Sequence, residues 1–246
     1  MGDFLAVLKY SRTQKGQGKN RITLEKEALK DLVRTYVRLT SDTKLPKKVR
    51  RNLAKPRRAI KFFRKNAPDR YLDLLEKLAQ LYSDTGQFAV STQLYRGLID
   101  LKKRSYRVVS YQRAIADNTR NIGNQVETVK ELRRLLSIWA KVKNAEDAEA
   151  KRVAKDRKGI EEILRSMAVT YHRQANKTKS DEDYGIAYNL YADYLKTFPK
   201  NANAYSMNFY YAELLYTRQK WKDSAERYEA VVRMKGEGEF SRDAAH

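Results

Sequence analysis

The sequence predicts an all-α protein, a right-handed α-solenoid of stacked antiparallel helix pairs. Its first indication is a period, because Ala79 and Ala116, like Gly86 and Gly123, lie 37 residues apart. Such a period is typical of repeats in which each helix pair buries its apolar face against the next pair. Its second indication is that apolar residues recur at helical spacing along most of the chain. With 246 residues, 41% of them hydrophobic, the chain can also bury a substantial core.

The N-terminal part is the most basic part of the sequence. We expect residues 1–22 to be irregular or to form a short helix, and residues 23–70 to form a basic helical pair that could be a degenerate repeat. The first helix should run from about Thr23 to Thr40, and Pro46 should open the second. Residues 1–70 contain 21 lysines and arginines against 6 acidic residues, and so carry +15 of the chain's net charge of +22.

Residues 71–139 predict two helix-pair repeats. Apolar residues at positions i, i+3, i+4 and i+7 mark one helix face: Leu75, Leu78, Ala79 and Tyr82. Gly86 can take the left-handed conformation that ends a helix, and a second helix should begin near Phe88. Gly123 occupies the equivalent turn one period later.

Two further repeats are predicted over residues 159–235. Residues 140–158 precede them as a charged helical extension, because alanine and i, i+4 charge pairs favour a solvated helix there. Residues 176–183 insert about seven residues, as a longer loop or as extended helix ends. Residues 236–246 predict the start of a truncated next repeat. We therefore expect a piece of a longer repeat protein, with Met1 and Gly2 added in cloning and any signal lost.

Small residues at helix crossings recur with neighbouring aromatic residues along residues 71–235, and in one repeat a proline, Pro199, follows the second helix. The best set is Ala187, Tyr191, Tyr194 and Pro199. The other sets are Ala79, Tyr82, Gly86, Phe88 and Tyr95; Ala116, Thr119, Gly123, Thr128, Leu132 and Leu135; and Ala212, Leu215, Trp221, Ser224, Tyr228 and Val231. This pattern resembles the tetratricopeptide repeat (TPR) family. The resemblance implies a solenoid that binds proteins, and the tyrosine-rich helices resemble those of long bacterial cell-envelope TPR proteins, including gliding-motility proteins.

The resemblance also implies where partners bind, since first helices line the concave face of a TPR array. The groove candidates are the residues there that are not expected to pack: Glu76, Gln80, Arg113, Asp117, Arg165, Val169, Phe209 and Glu213. Arg113 and Arg165 should contact carboxylates, and Phe209 with Tyr210 should grip an apolar side chain. A solvated groove residue is the alternative for each. The lysine and asparagine clamp of some TPR domains is not expected, since Glu76 and Gln80 stand at its positions.

A basic segment between residues 47 and 70 supplies a second set of candidates. Its polyanion-patch residues are Lys47, Lys48, Arg50, Arg51, Arg57, Arg58, Lys61 and Arg64. Three interpretations stay open: a solvated helix face, a surface for an acidic protein, and a site for nucleic acid or an anionic membrane or envelope polymer. Phe62, Phe63 and Tyr71 could stack on bases, although aromatic residues at helical spacing usually belong to a core.

Enzymatic motifs are not found in the sequence. The segment Gly16–Asn20 differs from a phosphate loop, because Thr13 replaces the first glycine and Asn20 replaces the serine or threonine. His172 has no second histidine within helical reach and is expected at the surface or in the groove. The chain has no cysteine, no run of 18 apolar residues and no visible secretory signal. No cofactor or metal is expected.

Together these observations predict a non-enzymatic scaffold or adaptor segment that holds protein partners in a larger assembly. The alternative is a basic α-solenoid that binds RNA or another polyanion through residues 47–70. The family resemblance favours the bacterial periplasm or cell envelope, with the cytoplasm as the other compartment.

Overall fold

The computed structural model describes residue 6 and residues 19–245. Side chains are described for residue 6 and for residues 26–245. Residues 19–245 form twelve α-helices and no strand, so the all-α class is confirmed for this part of the chain. In chain order the helices are α1 (Lys19–Ser41), α2 (Lys47–Leu53), α3 (Pro56–Asn66), α4 (Tyr71–Asp84), α5 (Phe88–Leu101), α6 (Val108–Ile122), α7 (Gln125–Val142), α8 (Ala150–Thr178), α9 (Asp181–Thr197), α10 (Ala204–Thr217), α11 (Trp221–Met234) and α12 (Ser241–Ala245). The chain divides into two compact units: unit 1, Met1–Asp147, and unit 2, Ala148–His246.

Helix α1 packs one apolar face into the core of unit 1. The buried residues on this face follow helical spacing: Leu29, Leu32, Val33, Tyr36 and Val37. Helix α1 contacts α4 and α2. It is longer than the predicted span of Thr23 to Thr40, while most of the predicted segment 1–22 lies outside the described residues.

The second N-terminal helix, expected to run on from Pro46, is divided into α2 and α3. Pro56 occupies the first position of α3, and the preceding Lys55 is extended, with φ −66° and ψ 134°. A proline disfavours helical backbone at the residue before it and lacks the N–H that a continuous helix would use. Pro56 therefore ends one helix and begins the next.

Two helical hairpins, α4–α5 and α6–α7, complete the helices of unit 1. The predicted apolar face of α4 is buried, including Leu78 and Ala79. Gly86 and Gly123 have φ values of 75° and 84°, as the predicted turns require. Consecutive helices α4, α5, α6 and α7 pack against each other in order.

The charged stretch 140–158 contains a loop as well as helix. Helix α7 ends at Val142, and α8 begins at Ala150. In the intervening loop, Asp147 accepts hydrogen bonds from the Ser105 hydroxyl and the Tyr106 backbone N–H, the latter at 2.7 Å. These bonds hold the loop against the segment that connects α5 to α6.

Unit 2 contains the hairpins α8–α9 and α10–α11, followed by the short α12. The insertion at residues 176–183 consists of extended helix ends, because α8 continues to Thr178 and α9 begins at Asp181. Lys179 takes the left-handed conformation with φ 56°, and the Ser180 side chain caps α9 by accepting from the Asp183 N–H. Helix α10 packs against α9 and α11.

Hairpins α4–α5 and α10–α11 share two internal hydrogen bonds at a constant offset of 133 residues. In the first, the Ser91 hydroxyl donates to the Ala79 carbonyl at 2.8 Å. In the second, the Ser224 hydroxyl donates to the Ala212 carbonyl at 3.0 Å. Because Ala79 and Ala212 are fully buried, a small side chain lets the paired helices approach closely at both places.

Two further features of the hairpins correspond at the same offset. The Tyr95 hydroxyl donates to the Gln80 side chain, and the Tyr228 hydroxyl donates to the Glu213 carboxylate. Each turn has one residue with positive φ, Gly86 in the first and Gln219 in the second. The two units therefore contain the same local design, which makes the helical fold repeat-like.

Candidate functional site

The groove candidates of unit 1 lie on α4 and α6. Glu76 accepts from Arg107 at 3.1 Å and from the Tyr111 hydroxyl. Burial, with a smaller effect from the Glu76 carboxylate, raises the pKa of Tyr111. Glu76 thus serves as an internal acceptor between two helices.

The other groove candidates of unit 1 also have contacts within the unit. Gln80 donates to Asp84 at 2.8 Å and accepts from Tyr95 at 3.2 Å. Asp117 pairs with Arg120 at 3.0 Å, and Arg113 is half-buried. Of these, Asp117 makes the simplest contact, an exposed pair within one helix, and can be substituted with least damage to the fold.

The groove candidates of unit 2 are similarly engaged. Arg165 donates to Glu161 at 3.0 Å, and Glu213 accepts from Tyr228. The Phe209 ring stacks on Phe240, with centroids 4.5 Å apart and planes 13° from parallel. Six of the groove candidates therefore contact a named side chain of their own unit: Glu76, Gln80, Asp117, Arg165, Phe209 and Glu213.

The polyanion-patch candidates lie together on α2 and α3. Residues 47–66 contain ten lysines and arginines and no acidic residue. Seven of the eight candidates are exposed: Lys47, Lys48, Arg51, Arg57, Arg58, Lys61 and Arg64. The eighth, Arg50, is half-buried and donates to the Leu45 carbonyl at 3.2 Å.

The charge of this basic surface is not neutralised within the described part of the chain. None of its ten cationic side chains forms an ion pair with a carboxylate there. By contrast, the groove cation Arg165 is paired with Glu161. A concentrated and unpaired positive surface attracts anions, and this attraction weakens as salt increases.

Aromatic residues beside the basic surface hold it on unit 1. Tyr36 of α1 lies 5.2 Å from Phe62 and 5.4 Å from Phe63, measured between ring centroids. The Tyr36 hydroxyl donates to the Leu53 carbonyl at 2.8 Å, and Phe63 is fully buried. Arg64 lies over the Tyr71 ring at 5.0 Å. The three aromatic residues proposed to stack on bases thus make contacts inside the protein.

A cleft that the sequence did not predict lies between α3 and α5. It has a volume of about 790 Å³. Its lining combines apolar residues with cations at the start of α3: Pro56, Ile60, Gly97, Leu101, Lys55, Arg57 and Arg58. We call it the α3–α5 cleft. Sequence reasoning missed it because it depends on how α3 packs against a helix some 40 residues further along the chain.

Two buried carboxylates were also missed by the sequence analysis. Glu131 of unit 1 is fully buried and accepts from Arg96 at 2.7 Å, from Arg134 at 2.6 Å and from Gln112 at 2.7 Å. In unit 2, Glu161 accepts from Tyr194 at 2.7 Å. Burial acts to raise the pKa of Glu161, but its hydrogen bonds outweigh burial, and the pKa is lowered.

The sequence does contain a signal that these two carboxylates are buried. Glu131 precedes Leu135 by four residues, and Glu161 precedes Leu164 by three. Each therefore lies on the apolar stripe of its helix, where a charged residue is expected to have an internal partner.

His172 is not a surface residue. It is buried, and its Nδ1 lies 3.2 Å from the Tyr191 hydroxyl. Burial lowers the pKa of His172, while the Glu213 carboxylate has a smaller opposing effect. The difference from the expectation arises because α9 covers this face of α8.

The described residues contain no cluster of three or more histidine or acidic side chains arranged to bind a metal. None of their helices is long and apolar enough to cross a bilayer. The glycines of the segment Gly16–Asn20 lie outside the described residues. In comparisons with known proteins, no protein-family model and no curated protein matches the chain.

Proposed function

We propose that this chain is a non-enzymatic scaffold segment of TPR-like helix pairs, stacked as a right-handed solenoid, that holds protein partners in a larger assembly. The observation that supports this proposal best is the hairpin design shared by α4–α5 and α10–α11, with its serine-to-alanine hydrogen bond in each unit. A repeated hairpin whose buried polar groups serve packing supports binding over catalysis. Because the tyrosine-rich helices resemble those of long bacterial cell-envelope TPR proteins, we propose that the assembly belongs to a bacterial cell envelope and serves gliding motility.

Quantitative affinity capture tests the scaffold proposal. The immobilised chain, a groove variant Asp117→Arg and a basic-surface variant Lys47→Glu/Lys48→Glu are incubated with nuclease-treated extract of the source cells. The proposal expects a defined set of proteins on the wild-type chain, part of which is lost with Asp117→Arg. Recovery of no specific protein, or of nucleic acid alone from untreated extract, would contradict it.

The second candidate function is binding of RNA or another polyanion through α2 and α3. The observation that favours it is the set of ten cations in residues 47–66 without any internal carboxylate partner in the described chain. Each phosphate contact releases counterions, so affinity for RNA should fall steeply as salt increases.

Titration with a fluorescent single-stranded RNA at several salt concentrations tests this second function. We expect Arg57→Glu/Arg58→Glu and Lys47→Glu/Lys48→Glu to weaken binding similarly, because phosphate contacts spread over a surface are nearly equivalent. RNA binding that is absent at moderate salt would rule the second function out.

A further inference from the structure

The α3–α5 cleft has an open, apolar floor. Gly97 of α5 faces Pro56 of α3 so closely that an added Cβ would lie 3.2 Å from the Pro56 Cβ. Gly97 therefore lets α3 and α5 approach closely at the base of the cleft. Beside this contact Ile60 is half-buried and Leu101 is 37% exposed. The volume of about 790 Å³ lies within the range of clefts that bind ligands.

The rim of the cleft is positive. Lys55, Arg57 and Arg58 are exposed and form no ion pair within the described residues. The carboxylate at the rim, Asp100, pairs with Lys103 at 3.7 Å. A fourth cation, Arg96, donates to the buried Glu131 at 2.7 Å. Three cations therefore remain available to an occupant that brings negative charge.

We propose that the α3–α5 cleft binds an acidic peptide segment of a partner protein. An aliphatic side chain of this segment lies on the floor formed by Pro56, Ile60 and Leu101. Its carboxylates pair with Arg57 and Arg58, whose guanidinium groups suit two-pronged contact with a carboxylate. This inference rests on the proposed scaffold function and specifies the chemistry of one partner.

The lining residues favour a peptide over RNA. Single-stranded RNA is usually held by aromatic rings that stack on its bases. The cleft residues described above include no aromatic side chain, and the nearby Phe62 and Phe63 pack with Tyr36. Aliphatic floor residues suit a leucine or an isoleucine better than a planar base.

The orientation of α3 disfavours a membrane. An amphipathic helix that lies on a bilayer turns its apolar face towards the lipid. In α3 the apolar face is used inside the protein, since Ala59 and Phe63 are buried. The outward side of this helix offers charge, which an acidic peptide can match.

Fluorescence polarisation with three probes tests the inference. The first probe is a labelled peptide of about twelve residues that alternates glutamate with leucine, and the second has serine in place of every leucine. The third is an oligouridylate of the same net charge. The variants are Arg57→Glu/Arg58→Glu at the rim and Lys47→Glu/Lys48→Glu, which makes the same charge change on α2 outside the cleft. Circular dichroism verifies that both variants fold.

We expect the leucine peptide to bind about tenfold more tightly than the serine peptide, because only the former buries apolar surface. The rim variant should lose at least about tenfold in affinity, and the α2 variant less than about threefold. Equal losses in the two variants, equal affinity for the two peptides, or tighter binding of the oligouridylate would each overturn the inference.

Failure of this inference is distinguishable from failure of the scaffold proposal. If peptide binding fails while the rim variant still captures the same proteins from extract, the cleft inference is wrong and the scaffold proposal stands. If no protein is captured, the scaffold proposal fails whatever the peptides do.

Discussion

Glu131 provides a sharp test of the packing of unit 1, because its carboxylate is fully buried and joins three helices. It accepts from Arg96 of α5, from Gln112 of α6 and from Arg134 of its own helix α7. The substitution Glu131→Gln preserves the shape, removes the charge, and brings an NH₂ group against the donor of Gln112. We therefore expect it to destabilise unit 1.

The size of the effect follows from the exposure of the partners. The side chains of Arg96 and Arg134 are 51% and 56% exposed, so hydration compensates for much of the ion-pair energy that they lose. Gln112 is buried and keeps its bond to the Glu131 backbone carbonyl at 3.0 Å, and loss of its second acceptor, the carboxylate, costs about 1 to 3 kcal/mol. We expect a total near 2 kcal/mol, which corresponds to a fall in Tm of roughly 6 °C.

Thermal and urea unfolding followed by circular dichroism measure this prediction. Glu127→Gln is the matched control, since Glu127 lies one turn earlier on α7 and pairs with Lys130 at 3.4 Å, with side chains 34% and 60% exposed. The control should cost no more than about 0.5 kcal/mol. If Glu131→Gln has the same Tm and urea midpoint as the control, the buried network does not stabilise unit 1 and our reasoning is refuted.

Three further predictions concern the hairpins and one buried histidine. Ser224→Ala should destabilise unit 2 by about 1 kcal/mol. Ser91→Ala should destabilise unit 1 by more, because Asn118 also donates to Ser91 at 2.9 Å. Equal shifts of the two midpoints in urea unfolding would contradict this order. Gly123→Ala should lower the free energy of unfolding by about 1 kcal/mol in the same assay, because alanine is strained at a φ of 84°. Steric crowding adds nothing, since no atom lies within 4 Å of an added Cβ. An unchanged midpoint would show that the turn relaxes. The lowered pKa of His172 means that its stabilising contribution is present above about pH 6.5 and is lost as the pH falls through the folded-state value. The urea midpoint of unit 2 should therefore decrease from pH 7.5 to 5.5 in the wild type, and decrease less in His172→Gln. The same dependence of the midpoint on pH in both proteins would rule this out.

The helical hairpins were the most predictable part of the fold. Small residues such as Ala79 and positive-φ turns such as Gly86 act locally, so their spacing in the sequence is sufficient. Two boundaries were missed. The division of the basic helix at Pro56 interrupts an otherwise continuous amphipathic pattern. The loop before Ala150 depends on a contact between Asp147 and the segment just before α6, some 40 residues away in the sequence.

The candidate site was less predictable, because its properties depend on tertiary contacts. The repeat pattern made Glu76 a groove candidate, but its partners lie about 30 residues away, Arg107 just before α6 and Tyr111 on α6. Composition located the basic surface, since no carboxylate occurs between Lys47 and Lys65. The apolar floor opposite Gly97 required the packing of α3 on α5, which no local pattern encodes.

Cross-linking mass spectrometry on the captured complex would test the central claim, that this chain is a scaffold for protein partners, most directly. Our account predicts cross-links from a partner protein to this chain, with Lys55 at the α3–α5 cleft and Lys77 on α4 among the acceptors. These links should survive nuclease treatment. A complex that dissolves on nuclease treatment, or one without any protein cross-link, would contradict the account.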